Sequence, residues 1–145
     1  MDWFDLILCY NSYMNAKIKL ELTENLEDYL YDIFEILKIA PIARIKDIAK
    51  KRNVKLSSAV IAAKSLAEKG LINYQKYEYI TLTEKGLKIA KEIENKKRIL
   101  YKFLTEILKV TPETAQRDAH KMEHDLSEET IKKIIEFTKN FKGSS

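Results

Sequence analysis

The stretch ARIKDIAKKRNVKLSSAVIAAKSLAEKGLINYQKYEYITLTEKG, residues 43–86, decides the fold. Ile42 to Asn53 reads as a short basic helix whose Ile45, Ile48 and Ala49 recur at helical spacing and turn inward. Ser57 or Ser58 is expected to cap the next helix, which runs to Lys69, because a short hydroxyl side chain accepts from the unpaired N–H groups of a first turn. Gly70 closes that helix, since glycine enters the left-handed turn without a Cβ penalty. Leu71 to Gln75 and Tyr79 to Leu82 are rich in Ile, Tyr and Thr and flank the charged tip Lys76, Tyr77 and Glu78, which makes them a β-hairpin.

Upstream, Thr23 followed by Glu24 and Glu27 starts a helix carried by Leu26, Leu30, Ile33, Phe34 and Leu37. It is expected to end between Ile39 and Pro41, because the residue before proline is pushed out of helical geometry. Downstream, a long helix spans Thr83 to Leu108 with Leu87, Ala90, Ile93, Leu100, Phe103, Leu104 and Ile107 inward. Pro112 opens another through His124, and Ser127 with Glu129 opens a last one through Phe141.

Helix, helix, turn, helix, hairpin is the plan of a winged helix-turn-helix, whose third helix enters the DNA major groove while the hairpin tip touches the backbone. A helical protein-interaction module shares that plan. The expected fold class is therefore mainly α: a winged helix-turn-helix of three helices plus a β-hairpin over residues 23–85, then a helical domain over residues 86–142. Residues 1–22 are expected to form an arm or extra helix, with Met14 as an alternative start and Gly143 to Ser145 as a frayed tail.

The 145 residues are 46% hydrophobic and 33% charged, which excludes a disordered chain, and only three glycines and two prolines argue against a many-stranded sandwich or barrel. No apolar run reaches the roughly 20 residues of a membrane span, no basic leader precedes an apolar core, and lone Cys9 has no disulfide partner in the chain. A soluble cytoplasmic protein without a membrane partner is expected. Lys and Arg total 26 against 22 acids, a net charge of +4. The excess sits between Lys46 and Lys69, whereas Asp118 to Glu136 is acidic and holds both histidines.

His120, Glu123 and His124 stand at i, i+3 and i+4 and share one helix face. Two imidazoles and a carboxylate suit Mn, Fe, Co, Ni or Zn better than Mg or Ca, and the same triplet is also compatible with a merely solvated face. Enzymatic motifs are missing: there is no phosphate-binding glycine loop, no Gly-x-Ser-x-Gly elbow, no Cys-x-x-Cys pair and no His-Glu-x-x-His. The chain reads as a non-enzyme.

From about Leu22 to Phe141 the sequence resembles the iron- and manganese-dependent repressors of the diphtheria toxin repressor and manganese transport regulator family. The resemblance is carried by ENLEDYLYDIFEI, ARIKDIAKKRNVKLSSAV, LAEKGLINYQKYEYITLTEKG and, most specifically, HKMEHDLSEE. It implies a homodimeric winged-helix repressor of metal homeostasis, of the short form without an SH3-like domain, that binds double-stranded DNA when a divalent ion fills a site between its domains. The implied ligands are Asp28, His120, Glu123 and His124, with Mn or Fe as the ion and Co, Ni or Zn as alternatives. Leu126, Ile131, Ile134, Ile135 and Phe137 supply an apolar surplus for dimerisation.

Two departures stand out. A ligand histidine of the family falls at Lys97, whose ammonium has no lone pair, and a carboxylate of the manganese type falls at Tyr31. Tyr101 and Gln116 likewise replace an acid and a histidine of an auxiliary site. Either a mononuclear site persists, or Lys97 replaces the ion by pairing with Asp28 and Glu123, which leaves no cofactor and a metal-independent dimer or interaction module. For DNA, Ser57, Ser58 and Lys64 are expected to meet phosphate or bases, while the reading positions carry apolar Ala59, Val60 and Ile61. Apolar side chains contact thymine methyl groups, which points to A·T-rich sites. Lys46, Lys50, Lys51, Arg52 and Lys76 form the expected phosphate-binding set.

Overall fold

A computed structural model describes residues 22–75 and 79–143. The expected arm, Cys9, the hairpin tip with Lys76, and the last two serines lie outside the described residues. The chain divides into two units between Ile93 and Glu94.

In the N-terminal unit, α1 (Glu24–Ile39) begins where Thr23 Oγ1 accepts from the Leu26 N–H at 3.3 Å, with Glu24 and Glu27 in its first turn. Its buried face carries Tyr29, Leu30, Ile33 and Phe34, and it stops at extended Ala40, just before Pro41. The second helix, α2 (Ile45–Arg52), is shorter at its N-terminus than the sequence spacing predicts. Ala43 is extended and exchanges two backbone hydrogen bonds with Ile80, at 3.0 and 2.7 Å, so those residues pair with the hairpin instead of joining the helix. Asp47 accepts from the Arg44 N–H at 3.2 Å, and Asn53 ends α2 in the left-handed region at φ 55°.

The third helix, α3 (Leu56–Glu68), corrects the expected cap. Lys55 is the capping residue, and its carbonyl accepts from Ser58 and Ala59 at 3.1 and 3.2 Å. Ser57 and Ser58 fall inside the first turn, exposed. Ala59, Ala62, Ala63 and Leu66 form the buried face of α3. Gly70 takes φ 73°, and the Leu71 N–H returns to the Leu66 carbonyl at 3.0 Å.

β1 (Ile72–Tyr74) and β2 (Ile80–Leu82) are antiparallel, with Ile72 opposite Leu82, Asn73 opposite Thr81 and Tyr74 opposite Ile80. Leu30, Ile33, Ile48, Leu66, Leu71 and Ile80 are fully buried in this unit. α4 (Glu84–Lys102) starts against the end of α3: Thr83 Oγ1 donates to the Gly70 carbonyl at 2.7 Å and accepts from the Gly86 N–H at 3.0 Å. Ile89, Ala90 and Ile93 on α4 are buried, whereas Leu87, expected inward, is 37% exposed.

The C-terminal unit takes the rest of α4, a π-helical turn (Phe103–Ile107), α5 (Pro112–Asp125) and α6 (Glu128–Gly143). The expected single helix to Leu108 is thus widened in its last turn. Thr105 donates its hydroxyl to the Tyr101 carbonyl at 2.9 Å, competing with the main-chain pattern there. Leu100, Leu104, Ala115 and Ala119 form the core, with Tyr101, Met122 and Ile134 packed against it. Ser127 Oγ accepts from the Thr130 N–H at 3.3 Å and starts α6 as expected.

Candidate metal centre and DNA-facing surface

α5 is positioned by Pro112 in its first turn, where a missing N–H costs nothing, and by Ala115 and Ala119, whose small side chains pack in the core. That packing fixes the rotation of the helix and sets His120, Glu123 and His124 along the neighbouring face. The two imidazole rings meet edge-on, with centroids 5.5 Å apart and planes at 88°. His120 is exposed, His124 half-buried and Glu123 buried. Two imidazoles one helical turn apart are a donor pair of the kind that suits a borderline divalent ion.

Glu123 has a different environment. Its carboxylate lies 3.6 Å from Lys97 Nζ, and the two side chains are 1% and 16% exposed. Lys96, itself buried, donates to the Glu123 main-chain oxygen at 2.7 Å.

Asp28 sits half-buried on α1 in the N-terminal unit, with its Oδ2 3.8 Å from Arg52 Nη2. Arg52 also donates to Asp32 at 2.8 Å and lies 4.4 Å over the Tyr29 ring. Lys51 pairs with Glu35 at 3.0 Å. Burial alone would raise the Glu35 pKa, but the hydrogen bond and charge of Lys51, helped by Tyr31 and Lys38, hold it below the ordinary carboxylate value. Lys51 and Arg52 therefore brace α2 against α1, a role beyond the phosphate contact expected of them. Sequence reading misses the roles of Lys96 and Arg52 because their partners lie 27 and 20 residues away.

On α3, Ser57, Ser58, Ile61 and Lys64 are exposed and Val60 is half-buried, while Ala59 is buried and cannot read a base. Ile61 is 70% and Leu56 58% exposed, an unusual apolar edge among lysines. Lys46 and Lys50 on α2 and Lys55 before α3 are also exposed.

Residues 21–80 match the family model for the N-terminal DNA-binding domain of iron-dependent repressors, and residues 83–144 match that for the metal-binding and dimerisation domain. The chain belongs to the iron-dependent repressor family. It is a DNA-binding transcriptional regulator with a dimerisation domain, and not an enzyme. It is 38% identical to an uncharacterized HTH-type transcriptional regulator of Methanocaldococcus jannaschii, over 83% of this chain and 98% of the relative. It is 36% identical to the transcriptional regulator MntR of Escherichia coli, over 79% of this chain and 74% of the relative. Among solved structures, IdeR of T. acidophilum shares 27% identity at a TM-score of 0.67, and the manganese regulator SloR shares 28% at 0.64. Both matches cover 81% of this chain, which spans about half of those longer proteins, 54% and 55%. The expected winged helix followed by a helical domain is the fold these relatives share. Metal binding belongs to the family's second domain, and no helix among the described residues is long and apolar enough to cross a membrane.

Proposed function

We propose that this chain is a cytoplasmic, metal-responsive repressor that controls metal homeostasis. The observation that supports it is the edge-on pair His120 and His124 on α5. Asp28, which the family resemblance contributes, adds a hard oxygen donor to the two imidazoles. This donor set accepts Mn or Fe as the working ion and takes Co, Ni or Zn as well. When bound, the ion stabilises the DNA-competent form by as much as it prefers that form over the other. DNA contact falls to Ser57, Ser58, Val60, Ile61 and Lys64 on α3, with Lys46 and Lys76 on phosphate. Of the expected apolar surplus, Ile131 and Ile135 are buried within the chain, so exposed Phe137, with Phe141 6.0 Å away between ring centroids on α6, supplies the apolar face for a homodimer.

Calorimetric titration with Mn²⁺, Fe²⁺, Co²⁺ and Zn²⁺ tests this reading. Binding by the wild type that disappears in His120→Ala with His124→Ala is the expected outcome, and wild-type protein that binds none of the four contradicts it. The Lys97–Glu123 pair favours a second reading, a regulator whose fixed ammonium replaces the ion. That version binds DNA equally well with and without chelator.

A further inference from the structure

Two successive lysines of α4 reach one residue of α5. Lys96 donates to the main-chain oxygen of Glu123, and Lys97 faces the Glu123 carboxylate from 3.6 Å. A carboxylate withdrawn from water persists as an anion only where a cation or hydrogen bonds compensate it. Lys97 supplies that cation from a side chain that is itself largely shielded. An ammonium so placed and a dication compete for the same oxygen atoms, and each repels the other. His120 and His124, on the same face, are less buried than Glu123.

We propose that Lys97 is a resident counter-ion that withholds Glu123 from the metal, and that Lys96 fixes the turn of α5 carrying Glu123 and both imidazoles. The inference rests on the metal reading above and narrows it. The ion is held by His120 and His124 without the Glu123 oxygen, which shifts preference away from Mn²⁺ and toward the more imidazole-seeking Co²⁺ and Zn²⁺. Lys97 is then a positioning residue, one that sets which atoms ligate without ligating itself.

The test is calorimetric titration of the full chain with Co²⁺ and Mn²⁺, together with the visible absorption spectrum of the Co²⁺ form. It compares wild type, Glu123→Gln, Lys97→Met and the double variant, with circular dichroism confirming the fold. Glu123→Gln is expected to bind Co²⁺ within about threefold of wild type with an unchanged spectrum. Loss of a true ligand or its close support costs about 10- to 100-fold. Lys97→Met is expected to bind both ions about tenfold more tightly as Glu123 becomes a ligand, a gain that the double variant loses.

A drop of about tenfold or more in Glu123→Gln overturns the inference while leaving the metal reading intact. So does unchanged affinity in folded Lys97→Met, or a gain that survives in the double variant, which reports only the removal of a repelling charge. If Lys97→Met does not fold, the affinity and spectrum of Glu123→Gln decide alone. Wild-type chain that binds neither ion refutes the metal reading and this inference with it.

Discussion

Arg52, the last residue of α2, donates from Nη1 to Asp32 Oδ2 on α1 at 2.8 Å. Its other terminal nitrogen is 3.8 Å from Asp28, and its plane covers Tyr29. The Arg52 side chain is only 20% exposed, and it serves as a brace between two helices of the winged unit. Arg52→Met is expected to destabilise the protein by about 2 kcal/mol, between the values for exposed and buried ion pairs. It should leave the salt dependence of DNA binding unchanged, whereas Lys46→Ala or Lys64→Ala should each lower the log–log salt slope by about 1. Chemical denaturation and salt-titrated DNA binding separate the two roles, and a reduced slope in Arg52→Met would return Arg52 to the phosphate set.

Ile61 stands 70% exposed on α3, the helix proposed to enter the major groove. A branched apolar side chain there has no hydrogen bond to offer guanine or adenine, but it matches the 5-methyl group of thymine. Replacing thymine by deoxyuridine at the contacted step should weaken wild-type binding by about 1 kcal/mol, in the range of a lost methyl contact. The same replacement should not affect Ile61→Ala. Equal losses for both proteins would show that Ile61 does not contact the methyl group.

Gly86 illustrates a constraint that composition does not reveal. A Cβ at this position would run into the Leu71 carbonyl oxygen, where the start of α4 lies against the turn after α3. Gly86→Ala removes helix-destabilising freedom yet is expected to cost about 1–3 kcal/mol, because the close approach outweighs propensity. Unfolding by urea measures it, and a stabilised variant would show that the turn moves aside freely.

The first helix was readable almost to the residue, because Thr23 caps it by a local hydrogen bond and Pro41 ends it by a local clash. The start of α3 was not, since Ser57 and Ser58 carry the capping side chains but backbone geometry places the cap at Lys55. The π-helical turn after Lys102 was equally hidden, as its apolar residues keep nearly helical spacing. In the site, the i, i+3, i+4 spacing sufficed to put His120, Glu123 and His124 on one face. It could not show that Glu123 turns to Lys97, because that pair spans 26 positions and depends on how α4 packs against α5.

The Glu35–Lys51 pair gives a pH dependence with a definite sign. Its carboxyl pKa is lowered in the folded protein, so the folded state binds fewer protons than the unfolded chain in the acid range. The stabilisation is present above the ordinary value of 4.5 and is lost as pH falls below it. Glu35→Gln is expected to flatten the acid limb of stability modestly, because the pair is about one-third exposed. Urea midpoints between about pH 3 and pH 7 provide the comparison. An acid limb that Glu35→Gln leaves unaltered would assign that loss to other carboxylates.

The most direct measurement is binding of the purified protein to fragments of its source genome in gel shifts, with Mn²⁺, with Co²⁺ and with excess chelator. Retardation of a specific fragment that requires a divalent ion, and that vanishes in His120→Ala with His124→Ala, is the expected result. Specific binding that ignores chelator and both histidines would contradict the account, because it would mean that no ion held by α5 controls the DNA-binding unit.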